Sequence, residues 1–228
     1  ELLIPLARKI LTSRDSALGR DHPDTAASLN TLAELLHKRG DYPSAQLLFE
    51  EALDIRERQL TSDHPDVAES LNNLAVLLKA CGDYAAAQPL YERSLLIFEN
   101  QLGPDHPDTA ISLSNLAGLL MKRGNFSSAQ KLLRGRLKAA LKNHSFEKPY
   151  PENVLKAFAA AYYAQNKPKP ARDIAKKIIK AYLDNENRND SEAIAYVNDL
   201  ANFASSRGDK ILAEELFGWA RDIMVGKM

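Results

Sequence analysis

One tetrapeptide, Asp-His-Pro-Asp, stands at Asp21–Asp24, Asp63–Asp66 and Asp105–Asp108, each copy 42 residues after the last. A period of that length repeats a supersecondary unit and not a single helix or strand. The same step carries Ser28-Leu29-Asn30-Thr31-Leu32-Ala33 onto Ser70-Leu71-Asn72-Asn73-Leu74-Ala75 and onto Ser112-Leu113-Ser114-Asn115-Leu116-Ala117. Gly40-Asp41-Tyr42, Gly82-Asp83-Tyr84 and Gly124-Asn125-Phe126 obey it as well. The register continues where the motif fades: Ala129 leads to Ala171 and Ala213, Pro107 to Pro149, and Gly124, two steps on, to Gly208.

Each unit reads as two helices. Val67, Leu71, Leu74, Leu77 and Leu78 recur at spacings of three and four, the stripe of a helix with one buried face. Gly82 suits the left-handed residue that closes such a helix, and Asp83 offers an N-cap oxygen to the next. The second helix carries Ala87, Leu90, Tyr91, Leu95 and Ile97. Proline is favoured in the first helical turn and flanking acids suit the positive end of the helix dipole, so the three Asp-His-Pro-Asp copies mark three helix starts. A hairpin of two helices leaves an apolar face that only the next hairpin covers. The expectation is therefore an all-α, right-handed superhelical solenoid of antiparallel helix pairs, one array over 1–228. Its units are 1–17 (the second helix of an incomplete repeat), 18–61, 62–103, 104–145, 146–187 and 188–228, the last acting as a cap. Because the chain opens halfway through a unit, a piece of a longer protein is expected.

The formal charge is zero, with 30 Lys and Arg against 30 Asp and Glu. That balance removes the general electrostatic argument for nucleic acid or an anionic membrane. The one cysteine, Cys81, has no internal disulfide partner, and no apolar run reaches membrane-spanning length, so a reducing, cytoplasmic setting is expected. Cys81, just before the Gly82 turn, reads as a small packing residue. His22, His64 and His106 fall one per repeat, and successive helix pairs stack roughly 10 Å apart, too far for one shared ion. There is no glycine-rich phosphate loop, Gly-x-Ser-x-Gly or His-Glu-x-x-His. No enzyme, cofactor or metal is expected.

The Asp-His-Pro-Asp helix starts, the Leu71-Asn72-Asn73-Leu74-Ala75 core and Gly82-Asp83-Tyr84 at the hairpin resemble the tetratricopeptide repeats of kinesin light chains. The resemblance is strong over 18–144 and weak from 145 to 228. It implies a scaffold whose first helices line a concave groove that takes an extended peptide or a partner's surface. By resemblance, Asn73 and Asn115 face that groove, while Thr31, Ala157 and Asp199 depart from the pattern. Asn30, Asn72, Lys156 and Asn198, one place earlier, sit at its edge.

An amide both donates and accepts, so it can hold a peptide main chain without demanding a side-chain sequence. The alternative for Asn73 and Asn115 is a hydrogen bond to a neighbouring helix that sets the stacking. His37, Lys79, Met121 and Tyr163 lie further along successive first helices, with Lys38 and Lys122 beside them. Lys79 and Lys122 would favour a partner bearing acidic residues, unless they are simply solvated. A basic run, Lys131, Arg134, Arg136, Lys138 and Lys142, lies on the second helix of the third whole unit, and reads as a solvated outer face. Phe217, Trp219, Ile223, Met224 and Val225 are bulky for a terminal cap and are expected to pack back on the preceding hairpin. Two functions follow: a peptide-binding adaptor, monomeric or weakly self-associating, or a self-assembly or intramolecular regulatory module.

Overall fold

The computed structural model describes residues 2–143, 152–184 and 189–226, and their side chains except those of 139–143 and 152. Pro149 of the extended register lies outside these residues, and so does the Lys142 side chain. The described residues form eleven helices and no strand. They are α1 (Leu3–Leu18), α2 (Pro23–Arg39), α3 (Tyr42–Gln59), α4 (Pro65–Ala80), α5 (Tyr84–Leu102), α6 (Pro107–Lys122), α7 (Phe126–Asn143), α8 (Glu152–Tyr163), α9 (Pro168–Leu183), α10 (Asp190–Ser206) and α11 (Lys210–Met224). None of the described helices is long and apolar enough to cross a membrane.

The proline-marked starts fall at α2, α4 and α6. At each, a feature invisible to pattern reading appears: the histidine is the cap. His22, His64 and His106 accept at Nδ1 from the backbone N–H of Asp24, Asp66 and Asp108, at 3.1, 3.1 and 3.2 Å. An imidazole nitrogen here satisfies one of the orphan donors of the first turn, the service usually supplied by Ser, Thr, Asp or Asn.

The hairpin turns obey the same phase. Gly40, Gly82, Gly124 and Gly208 all have φ between +76° and +88°, a conformation glycine adopts without steric cost. The next residue caps the following helix, with Asp41, Asp83, Asn125 and Asp209 accepting from the N–H of Ser44, Ala86, Ser128 and Leu212. The turn between α8 and α9 departs from the rule. Asn166 holds the left-handed place at φ +54°, and Lys167 supplies no side-chain cap.

The chain divides into two compact units, Glu1–Leu119 and Leu120–Met228. In the first, α1 packs on α2, α2 pairs with α3, α3 packs on α4, and α4 pairs with α5. Leu32, Leu36, Phe49, Leu74 and Leu77 share one core cluster there, and Val67, Leu71, Ile97 and Phe98 another. In the second, α7 packs on α8, α8 pairs with α9, and α10 pairs with α11. Phe158, Tyr182, Leu133 and Leu216 are buried in it. Each fully buried large side chain of this kind contributes about 1.5–3 kcal/mol.

Two expectations fail locally. Cys81 is exposed at the C-cap of α4 and is not a packing residue, because it follows the last helical turn and falls outside the buried stripe of Val67, Leu71, Leu74 and Leu77. At the far end, Ile223 is buried as expected, but Phe217, Met224 and Val225 are exposed. The buried positions of α11 are Leu212, Ala213, Leu216, Ala220 and Ile223, a single helical stripe that passes these three by.

Candidate peptide-binding face

Polar residues beside the packing stripe meet across the seam between successive first helices, at sequence separations of 39 to 43. In the first unit Asn73 of α4 donates from its amide to Glu34 Oε1 of α2, at 3.3 Å. Asn115 of α6 donates to Asn72 Oδ1 of α4, at 3.0 Å. The Lys79 ammonium of α4 lies 3.6 Å from where a Cβ would stand on Gly118 of α6, and thus extends over that helix. Asn72, Asn73, Lys79 and Asn115 are all half-buried. The hydrogen bonds to neighbouring helices are those of the stacking alternative. Each amide offers two N–H donors and an oxygen with two lone pairs, so one bond leaves capacity for a ligand.

Asn30 requires a correction. It is only 3% exposed and donates to Ser70 Oγ at 2.9 Å, which places it between α2 and α4 instead of at a surface. Ser28, Ser70 and Ser112 are the small, buried residues at one repeat position, and they admit such a partner where a larger side chain would exclude it. Thr31 is exposed, and its hydroxyl donates to Ala27 O within its own helix at 3.0 Å. His37 rests against the Tyr42 ring, centroids 5.6 Å apart. Lys122 is exposed at the end of α6. Lys156 of α8 and Asn198 of α10 are half-buried in the second unit.

A clamp between repeats was missing from the sequence reading. Arg56, only 3% exposed near the end of α3, donates from Nη1 to Asp66 O (2.8 Å), Glu69 Oε2 (2.9 Å) and Ser70 Oγ (2.9 Å) of α4. One repeat earlier, Arg14 of α1 donates to Asp24 O (3.1 Å) and Ser28 Oγ (2.9 Å) of α2. The Arg56 guanidinium donates to a backbone carbonyl and a buried serine hydroxyl at the helix start and pairs with the exposed Glu69 carboxylate. The signal was present, since Arg14 and Arg56 are 42 residues apart and so are their serine partners. At the next step Phe98 replaces the arginine, and Ser112 Oγ donates instead to Ser94 Oγ at 3.3 Å.

The second unit has its own ionic joint. Asp209, its side chain 1% exposed, receives Arg172 Nε at 2.8 and 2.7 Å on its two oxygens and the Tyr163 hydroxyl at 3.0 Å. Burial pushes the carboxyl up, but the bonds from Arg172, the Leu212 N–H and Tyr163 outweigh it and hold Asp209 below its ordinary value. The Tyr163 phenol is raised, by burial first and by Asp209 second. No group of three or more His, Cys, Asp or Glu that could hold a metal ion occurs among the described residues.

A family model described as tetratricopeptide repeat matches residues 3–58 and 66–142. Among solved structures, BtubC (BKLC) from P. vanneervenii is similar at TM-score 0.62 and 19% identity, covering 98% of this chain and 87% of that one. Nearly identical kinesin light chain-like TPR repeats from Podosopora anserina are similar at TM-score 0.62 and 24% identity, covering 91% and 98%. The apo form of RapI is similar at TM-score 0.56 and 16% identity, covering 98% and 77%. Likeness at these identities is likeness of fold. No curated protein matches the chain.

Proposed function

Because the chain belongs to the tetratricopeptide repeat family, we propose that it is a non-catalytic adaptor whose first-helix face holds an extended peptide of a partner protein, in a reducing, cytosol-like compartment. The observation that carries this reading is the row of half-buried amides on adjacent first helices, Asn72, Asn73 and Asn115, flanked by Lys79. Already fixed by one bond each, these groups lose little side-chain freedom on binding, and they retain donors and acceptors for a peptide backbone. Lys79 and the exposed Lys122 favour a peptide with acidic residues, and Lys156 and Asn198, half-buried on first helices of the second unit, are candidates within that unit by itself.

Affinity capture with the chain as bait, compared with an Asn73→Ala, Asn115→Ala double variant, tests this. Loss of captured partners from a variant that keeps its helicity is expected. Full retention of every partner would sink the proposal.

One observation favours a second reading, self-assembly. Leu3, Leu6 and Ile10 of α1 are 63%, 53% and 43% exposed, although the equivalent residues of α3 are Ala45 and Ala52, both buried, and the half-buried Leu48. A second copy would cover that stripe. Light scattering coupled to size exclusion decides: a clean monomer at high concentration removes self-assembly.

A further inference from the structure

The zero formal charge conceals a division. Residues 1–119 carry 18 acids and 10 bases, net −8, whereas residues 120–228 carry 12 acids and 20 bases, net +8. Three of the second unit's bases stand together on one face of α7. Ser127, Gln130, Lys131, Arg134, Gly135 and Lys138 of α7, together with Tyr162 of α8, line an open groove whose lining holds three cations and no acid. Lys131, Arg134 and Lys138 are all exposed.

The repeat register shows how special this face is. Where α7 has Lys131, Arg134, Gly135 and Lys138, α3 has Leu47, Glu50, Glu51 and Asp54, and α5 has Pro89, Glu92, Arg93 and Leu96. The charge therefore reverses between α3 and α7. Gly135 stands where Glu51 and Arg93 project, and nothing lies within 4 Å of the place its Cβ would take. A glycine inside a helix costs about 0.5–1 kcal/mol relative to alanine, and here it opens space between Arg134 and Lys138. On α9, Lys177 and Lys180 occupy the equivalents of Gly135 and Lys138 and are exposed too.

We propose that this second-helix groove of α7 is a docking site for an acidic segment of a partner protein, separate from the first-helix face. Lys131 and Lys138 are two helical turns apart, about 10 Å, which an extended strand crosses in about three residue steps. Carboxylates at both ends of such a stretch meet both ammonium groups. The Arg134 guanidinium between them offers two parallel N–H donors to a third carboxylate. A nucleic-acid strand fits less well, because Tyr162, the one aromatic residue in the lining, is 6% exposed and presents no ring face for a base. This site does not depend on the adaptor reading of the first-helix face.

The test uses the whole chain and a fluorescein-labelled octapeptide of alternating Glu and Gly, followed by anisotropy at low and high salt. Binding that weakens with salt is expected, and Arg134→Glu with Lys138→Glu should reduce affinity about tenfold or more. Gly135→Leu fills the groove without changing the charge and should weaken binding several-fold. Should the charge reversal lower helicity by circular dichroism, Lys131→Gln with Arg134→Gln carries the same expectation at about threefold. Undiminished binding by the charge variants overturns the site, and undiminished binding by Gly135→Leu overturns the groove. Tighter binding of a single-stranded oligonucleotide than of the peptide overturns the class of partner.

Discussion

Asn115 donates its side-chain amide to Oδ1 of Asn72 on the preceding first helix, 3.0 Å away. The bond joins two half-buried neutral groups, so its net contribution to stability is about 1 kcal/mol or less. Asn115→Ala should lower the melting temperature by only a few degrees, while partner capture by the double variant with Asn73→Ala falls sharply. A large stability loss without a binding loss would assign these amides to stacking alone.

The Arg56 clamp should behave oppositely. Its guanidinium is buried against Asp66 O, Glu69 and Ser70, and truncation strands the Asp66 carbonyl and opens a cavity, while Ser70 keeps its bond from Asn30. Arg56→Ala is expected to destabilise by about 2 kcal/mol, whereas Arg14→Ala, at an exposed end of the same series, costs about 1 kcal/mol or less. Urea titrations of the two variants measure the difference, and equal midpoints would refute it.

At the helix starts, His64→Ala removes the acceptor for the Asp66 N–H and should cost about 1 kcal/mol. His64→Asn restores an acceptor at that place and should recover most of the loss. Thermal melts of the pair give the answer, and identical losses would mean that the histidine acts otherwise than as a cap.

Asp209 gives a pH dependence of definite sign. Its folded-state pKa lies below the unfolded value of about 3.9, so its contribution is complete above that pH and is lost as pH falls through the lower folded value. Asp209→Asn keeps a capping oxygen but loses the charge opposite Arg172, and should cost about 2 kcal/mol at pH 7. Below about pH 4 the variant and the parent should converge. A gap that stays constant down to pH 2 would exclude the carboxylate as its origin.

Much of this was legible because the repeat places like residues in like positions. The period located the Gly40, Gly82, Gly124 and Gly208 turns, the aspartate caps after them, and the paired helices, since backbone geometry depends on local chemistry that recurs. What escaped is what depends on a partner distant in sequence. Asn30 and Asn72 share a repeat position, yet Asn30 is buried on Ser70 while Asn72 accepts from Asn115, and only the neighbouring helix distinguishes them. Arg56 escaped for a related reason, because an arginine among charged residues reads as solvated until its three acceptors are seen. The charge division was missed by summing over the whole chain, an operation that erases position.

Phe98 in place of the clamp arginine gives the array joints that answer differently to temperature. The Arg14 and Arg56 joints rest on charged groups, whose desolvation penalty falls on warming. Phe98 instead packs within its own hairpin, in a cluster with Val67 and Leu71 of α4 and Ile97 of α5, and this contact rests on apolar burial, which weakens on cooling. Chilling therefore weakens the α4–α5 hairpin first, while warming favours the Arg14 and Arg56 joints.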